Sequence, residues 1–338
     1  AALAAGNSVI AKPAEQTSLV AYLATQLFHG AGVPHDVLHL ITGGGQIGAA
    51  LVRDQRIQGI AFTGSNDTAW AIQKLLCERR SAIIPFIAET GGLNAMIADS
   101  SALPEQVVRD VIRSSFDSSG QRCSSSRVLF IQNEIAAKTI EMITGAISTL
   151  QIGDPISIDT DIGPLIDETS QETVEAHKLR MSSCAQLLID LPIPASCSNG
   201  NYVGPACFEI ERFDQLDKEI FGPVLHIIRY SRDRLDSVLN AINSSGYGLT
   251  LGLHSRIQSV IDYVSLSARV GNVYVNRSQI GAVPGVQPFG GEGLSGTGPK
   301  AGGPHYIQRF GTERVCSIDT TATGGNIKLL TLSVKEEI

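Results

Sequence analysis

The stretch SVIAKPAEQTSLVAYLATQLFHGAGVPHDVLHLITGGGQIGAALVR (residues 8–53) decides the fold class. Residues 8–11 form a short apolar run that reads as a strand, and the polar Lys12-Pro13 step ends it. From Ser18 onward, Leu19, Val20, Leu23, Leu27 and Phe28 recur at helical spacing, and Gly30, Gly32 and Pro34 stop the run. Residues 37–42 read as a second strand, a triple glycine follows, and residues 47–53 read as a second helix. The alternation continues with a strand at 57–62, a helix at 67–80 and strands at 83–88 and 95–97. Strands and helices in this order predict right-handed βαβ units and a parallel sheet, hence an α/β fold. Upstream, residues 1–5 read as the last turn of a helix with Gly6 as its stop.

Open α/β sheets bind ligands at the carboxyl ends of their strands. Here Lys12, Pro13 and Glu15 follow the first strand, and Gly43, Gly44 and Gly45 the second. Thr63, Gly64 and Ser65 follow the third, and Glu89, Thr90, Gly91 and Gly92 the fourth. Four such clusters at one edge predict a binding face. The segment GGGQIG (43–48) matches G-x-G-x-x-G where a strand gives way to a helix. It suits either a pyrophosphate on bare amide groups or a tight turn with close packing. FTGS (62–65) is a second loop of the same kind, and Asp67 is the acid spaced to meet a ribose.

Beyond Asp99, Val107, Val108, Val111, Ile112 and Phe116 predict a helix over 104–116. A polar loop follows at 117–126, a strand at 127–132 and a helix at 136–150. Mixed patterns run to about residue 275, and the Gly/Pro-rich segment 281–303 has the length of a functional loop. From Thr312 the chain shows strand-like pieces, a break at Gly324-Gly325 and a charged end.

The chain has 338 residues, of which 43% are hydrophobic and 17% charged, enough for two domains with large cores. A net charge of −7 excludes the basic face of a nucleic-acid binder. No apolar run approaches the ~20 residues of a membrane span, and the opening AALAAG lacks the basic region of a signal peptide. Six cysteines without CxxC or zinc-ligand spacing suggest free thiols, no metal and a reducing, cytoplasmic setting. Among them Cys123 stands apart. It lies in SSGQRCSSSR (118–127) between Arg122 and Arg127, and cationic neighbours are expected to lower its pKa and favour the thiolate. Glu89 alone reads as an ordinary loop acid at a strand end.

Six blocks together resemble the aldehyde dehydrogenase superfamily: AGNSVIAKPAEQTS (5–18), FTGS (62–65), AETGG (88–92), GQRCS (120–124), EIFGPV (219–224) and QPFGGEGLSGTG (287–298). Their order and spacing match over essentially the whole chain. Within that superfamily, residues 88–108, 272–277 and 280–304 are similar to the Δ1-pyrroline-5-carboxylate dehydrogenase domains of bacterial bifunctional proline utilisation proteins. The resemblance implies NAD-dependent oxidation of L-glutamate 5-semialdehyde to glutamate. Cys123 would be the nucleophile and Glu89 the general base that activates water. Lys12 and Glu15 would hold the adenosine ribose, Ser65 the pyrophosphate and Glu219 the nicotinamide ribose, with Phe221 packed nearby. Glu15 would disfavour a 2′-phosphate, hence NAD over NADP. Gly43 to Gly48, Gly45 included, become scaffold with an adenine-side contact, and Asp67 is no longer needed as the ribose acid.

Substrate recognition would involve Ser124, the backbone at Gly281 and Ala282, and Phe289 on the aliphatic stem unless that ring only packs the core. Arg122 and Arg127 would serve the substrate carboxylate or brace the loop. The resemblance also implies a partial Rossmann-like NAD domain (1–91), a catalytic α/β domain (92–288) and a return segment with an oligomerisation strand (289–338). A homodimer and a proline dehydrogenase domain elsewhere in the parent chain go with it. The superfamily's oxyanion-hole asparagine lies upstream of residue 1, so the 338-residue chain is expected to turn over slowly, since losing such a donor costs about 10²–10³ in rate. A sister enzyme for another small aldehyde and a catalytically incompetent fragment are the alternatives.

Overall fold

The computed structural model describes residues 1–319. The chain opens in one helical turn, with the Ala5 N–H on the Ala1 carbonyl at 2.9 Å, and Gly6 ends it at φ +84°. β1 (Val9–Ala11), α1 (Ser18–Gly30), β2 (Leu38–Leu40), α2 (Gly45–Arg53), β3 (Ile60–Thr63), α3 (Asn66–Glu78) and β4 (Phe86–Glu89) follow in the expected alternation. They form two separate parallel pairs, β1–β2 and β3–β4, where the sequence pattern led us to expect one sheet. The helical stripe of α1 also departs from expectation. Leu19, Val20, Leu23, Leu27 and Phe28 are all exposed, and Thr25 is the buried residue of that helix. Spacing dictates that the helix forms, whereas burial of its stripe needs a partner element, and none of the described residues covers it.

The main sheet begins at β5 (Ala95–Ala98). After it come α4 (Pro104–Phe116), β6 (Val128–Gln132), α5 (Asn133–Ser148), α6 (Glu168–Cys184), β7 (Gln186–Asp190), β8 (Ala206–Glu209) and β9 (Val224–Tyr230). α7 (Leu235–Ser244), β10 (Tyr247–Gly248), β11 (Thr250–His254), α8 (Gln258–Ser267), β12 (Asn272–Val275) and β13 (Glu292–Gly293) complete the described elements. Seven strands pair in the order β12-β11-β5-β6-β9-β8-β7, all parallel except the edge pair β7–β8. The architecture is mixed α/β with a parallel-dominated central sheet. Strand alternation splits the core into two layers. Val128 and Phe130 face one, with Phe208 and Leu253, while Leu129 and Ile131 face the other, with Phe116, Ile143 and Ile147. Residues 312–319 carry no strand, and residues 320–338 of the expected return segment lie outside the described residues.

A polar chain crosses the first layer. His226 on β9 presents Nδ1 to the Arg127 carbonyl at 3.0 Å and Nε2 to Nε2 of His177 on α6 at 2.9 Å. A carbonyl only accepts, so His226 Nδ1 carries the hydrogen, His177 Nε2 donates to His226, and His177 Nδ1 accepts from Arg180 at 3.4 Å. Burial, reinforced by the facing charges, pushes His226 down to about 3 and His177 down to about 4. Both histidines thus stay neutral in the folded chain while unfolded ones protonate below about 6.5. Their contribution to stability is full above that pH and falls as the solution is acidified toward 4. Urea unfolding at pH 7 and pH 5 should show His177→Phe losing about 2 kcal/mol less over that interval than the unsubstituted chain. An identical loss in both would contradict the neutral pair.

Candidate active site

α4 ends at Phe116, and the chain reverses through Ser118 and Ser119, both at φ +55°, and Gly120 at φ +68°. A Cβ on Gly120 would come 2.2 Å from the Gly222 carbonyl oxygen, so this turn admits only glycine. Cys123 follows, half-buried, on a loop fixed from three sides. Asn94 Nδ2 donates to the carbonyls of Cys123 at 2.6 Å and Ser125 at 3.0 Å, and its Oδ1 accepts the Thr250 N–H at 3.1 Å. Gln279 Nε2 donates to the Ser124 carbonyl at 3.3 Å. Beneath the loop lies Arg127, 2% exposed, which donates to the carbonyls of Gly120 at 2.6 Å and Arg122 at 3.1 Å. Its Nη2 also meets Glu219 Oε1 at 2.9 Å, and its guanidinium stacks 5.3 Å from the Phe221 ring centre. Arg127 therefore braces the loop. The loop sits where β5, β6 and β11 begin, at their amino ends, because Asn94 and Thr250 lie at or just before the first residues of their strands. Glu89 lies at the carboxyl end of β4, whereas the Cys123 loop lies at the amino ends of its strands.

The expected depression of the Cys123 pKa is overturned. Burial pushes the thiol up, and the Glu219 carboxylate pushes the same way, against the Ser124 N–H, Arg127 and the N–H of Cys123 itself. The cause is local pairing. Arg127 is neutralised by Glu219, and Arg122 turns outward to Ser118 Oγ at 2.9 Å. The resting group is a thiol, which must lose its proton as it reacts.

Glu89 closes β4 and enters a pocket of glycines. Its Oε2 accepts the Gly291 N–H at 3.2 Å, and Oε1 is buried with no partner. A Cβ on Gly296 would stand 2.8 Å from Oε2, and one on Gly290 would stand 3.2 Å from Oε1, so side chains at either position would crowd the carboxylate. Burial pushes Glu89 up to about 7, against the Gly291 N–H and the charge of Lys300. A carboxyl that titrates near neutrality suits proton transfer from water. The turn after Glu89 leads directly to Glu219. The Gly92 N–H donates to Glu219, and a Cβ on Gly91 would fall 1.9 Å from its Oε2. Glu219 is thus held by Arg127 and this turn, with burial raising its pKa first and Arg127 lowering it. Phe221 is exposed beside it.

The remaining predicted residues lie at several places. Lys12 Nζ donates to the carbonyls of Pro13 at 2.6 Å and Gly43 at 2.7 Å, and its stem passes Gly48, where a Cβ would lie 3.6 Å from it. A Cβ on Gly44 would lie 3.7 Å from Glu15 Oε1, and one on Gly45 would meet open space at the first turn of α2. Ser65 caps α3, its Oγ accepting the Thr68 N–H at 3.3 Å. Ser124 is buried beside Cys123. Gly281, at φ +75°, and Ala282 stand in the loop that leaves Gln279. Phe289 is half-buried and pairs with Ala301, next to the Glu89 pocket. Sequence reasoning missed Asn94 and Lys300. Asn94 gave a usable signal, a polar residue inside the apolar run that becomes β5. Among the described residues no cluster of His, Cys, Asp and Glu could hold a metal ion, and no helix is long and apolar enough to cross a membrane.

Together these features define a half-buried thiol and a near-neutral carboxylate, linked through Glu219 and the turn that follows Glu89, on an α/β frame. Residues 1–315 match the aldehyde dehydrogenase family, and the chain belongs to it. The chain is 51% identical over 323 residues to the bifunctional protein PutA of Klebsiella aerogenes, covering 93% of this chain and 25% of that protein. It is 33% identical over 317 residues to the 1-pyrroline-5-carboxylate dehydrogenase of Bacillus subtilis, covering 91% and 60% respectively. A solved Thermus 1-pyrroline-5-carboxylate dehydrogenase with bound NAD superposes with a TM-score of 0.85 at 32% identity, over 90% of this chain and 59% of that one. The chain thus spans about a quarter of its bifunctional relative and about 60% of the monofunctional ones.

Proposed function

We propose that this chain carries out the chemistry of an L-glutamate 5-semialdehyde dehydrogenase, oxidising the aldehyde to L-glutamate with NAD. The observation that carries this reading is Glu89, held in its glycine pocket at a pKa of about 7, in a chain that sets Cys123 on a braced loop. The Cys123 sulfur adds to the aldehyde carbon, the C=O π bond opens, and the sulfur loses its proton as the oxygen gains one, which gives a thiohemiacetal. The Ser124 N–H, which already favours negative charge at this sulfur, assists that proton loss. Bound dinucleotide would supply the hydride acceptor that makes this adduct a thioester. Glu89 then takes a proton from water as the water attacks the thioester carbon, which breaks the C–S bond and releases the acid.

The donor set near α2 and α3 suits a dinucleotide. It offers a lysine ammonium, an acid at Glu15 for ribose hydroxyls, open space at Gly45 and the capped helix start at Ser65. Glu219 and Phe221 would take the nicotinamide side. Ser124, Gly281, Ala282 and Phe289 would receive the amino-acid end. In this reading residues 1–91, 92–288 and 289–338 are the nucleotide, catalytic and return units. A homodimer, a proline dehydrogenase unit in the longer protein and a cytoplasmic setting complete it.

The test is the rate of NADH formation over glutamate 5-semialdehyde, succinate semialdehyde and simple aldehydes. It is read in the 338-residue chain and in a form extended upstream to the length of the monofunctional relatives. We expect glutamate semialdehyde to lead by at least tenfold in kcat/KM, the order of discrimination that buried polar contacts give, and NADP to support little turnover. A preference for simple aldehydes would overturn the substrate assignment.

A further inference from the structure

We propose that Lys300 is a positioning residue of this site, clamping the loop that receives Glu89 and setting the charge state of that carboxylate. The inference rests on the reading of Glu89 as the base that hydrolyses the Cys123 thioester.

Lys300 lies beyond the Gly290–Gly296 turn, and its ammonium is directed back into it. Nζ donates to the Gly271 carbonyl, to the Gly290 carbonyl at 3.2 Å and to Asn272 Oδ1 at 3.3 Å. Asn272 repeats the tie, with its Oδ1 accepting the Gly290 N–H at 3.3 Å and its Nδ2 donating to the Pro288 carbonyl at 2.9 Å. The start of β12 is thereby fastened to residues 288–290 through one ammonium and one amide. Gly291, the next residue, supplies the N–H that meets Glu89. A Cβ on Gly271 would lie 2.9 Å from Nζ, so the ammonium has the close approach that glycine allows.

The charge acts beside the geometry. Three N–H bonds of the ammonium are all turned to protein oxygens, and Glu89 and Glu292 are the carboxylates whose charge holds the proton on Lys300 against the effect of burial. Facing Glu89 are Lys300, the Gly291 N–H and the Tyr306 phenol, whose own pKa the carboxylate raises after burial. Lys300 is the one cation among them. Its removal leaves Glu89 with burial and a single N–H, and the proton is then held to higher pH.

The reaction that reads this out needs no dinucleotide. Cys123 attacks the carbonyl of p-nitrophenyl acetate. A C–S bond forms, the ester C–O bond breaks, and p-nitrophenolate leaves while the thiol proton passes to solvent. Water then attacks the acetyl thioester, Glu89 takes its proton, and acetate departs with the thiol restored. No oxidant is involved. Deacylation of the 338-residue chain, followed after the p-nitrophenolate burst, should rise with pH to a plateau with its midpoint near 7. In Lys300→Met the midpoint should move up by about one pH unit, the low end of what removing an opposite charge does. Deacylation would then be about tenfold slower at pH 6 and within about twofold at pH 9. Lys300→Arg should restore the midpoint. A burst with an unshifted midpoint in Lys300→Met, or a uniform loss at every pH that arginine does not rescue, overturns the role of Lys300 alone. No burst in the unsubstituted chain, and none in the form extended upstream, overturns the nucleophile reading, and this inference falls with it.

Discussion

Cys123→Ala is expected to lower NADH formation from glutamate 5-semialdehyde by at least about 10⁴-fold, because in the proposed mechanism it removes the group that makes the covalent bond and leaves only binding and orientation. The fold should survive. Cys123 is only half-buried, and the loop around it is held by the carbonyl contacts of Asn94, Gln279 and Arg127, none of which involves the sulfur. Thermal unfolding within a few degrees of the parent, together with lost turnover and a lost p-nitrophenolate burst, is the expected pattern. Retained turnover would move the nucleophile elsewhere. Because burial and Glu219 raise the thiol pKa, alkylation of Cys123 by iodoacetamide should be slower at neutral pH than for an exposed thiol.

Glu89→Gln is the second large effect. Only the ionised carboxylate can take a proton from water, and its ionised fraction rises with pH through about 7. At pH 6 about a tenth of the chains carry that charge, so hydrolysis should climb roughly tenfold from pH 6 to its plateau. Glutamine keeps the Gly291 hydrogen bond available and removes the base. Hydrolysis should fall by about 10²–10⁴-fold and lose its pH dependence. Acylation, which Glu89 does not perform in this account, should persist, so acyl-enzyme accumulates. A glutamine variant with parental hydrolysis and the parental pH profile would remove Glu89 from the mechanism.

Much of this is legible in the amino-acid sequence. The alternation of short apolar runs with helical stripes gave the α/β class, and α4 starts and stops at the residues that Pro104 and the apolar face to Phe116 mark. Local pattern reports which element forms and says little about what it packs against. The stripe of α1 shows this, since its spacing is helical while its leucines stay exposed. In the same way nothing in residues 8–97 distinguishes one sheet from the two parallel pairs observed, since strand pairing is a long-range property.

The site divides along the same line. Cys123 was visible through its polar loop and its arginines, but the sign of its pKa shift was not. Arg127 and Glu219 are 92 residues apart in sequence and 2.9 Å apart in space, and that contact cancels the charge expected to act on the thiol. Glu89 reads as a loop acid until the glycines at 290, 291 and 296, about two hundred residues later, fold over it. Lys300 was invisible because its partners are mainly backbone carbonyls, which leave no mark on composition.

The central claim is that one thioester forms on Cys123 and is released through Glu89. It is tested most directly by intact-protein and peptide mass spectrometry of the Glu89→Gln protein, extended upstream, after mixing with glutamate 5-semialdehyde and NAD. The account predicts a single added glutamyl group, confined to the peptide bearing Cys123 and removable by hydroxylamine. An unlabelled Cys123, or a label on any other residue, would contradict it.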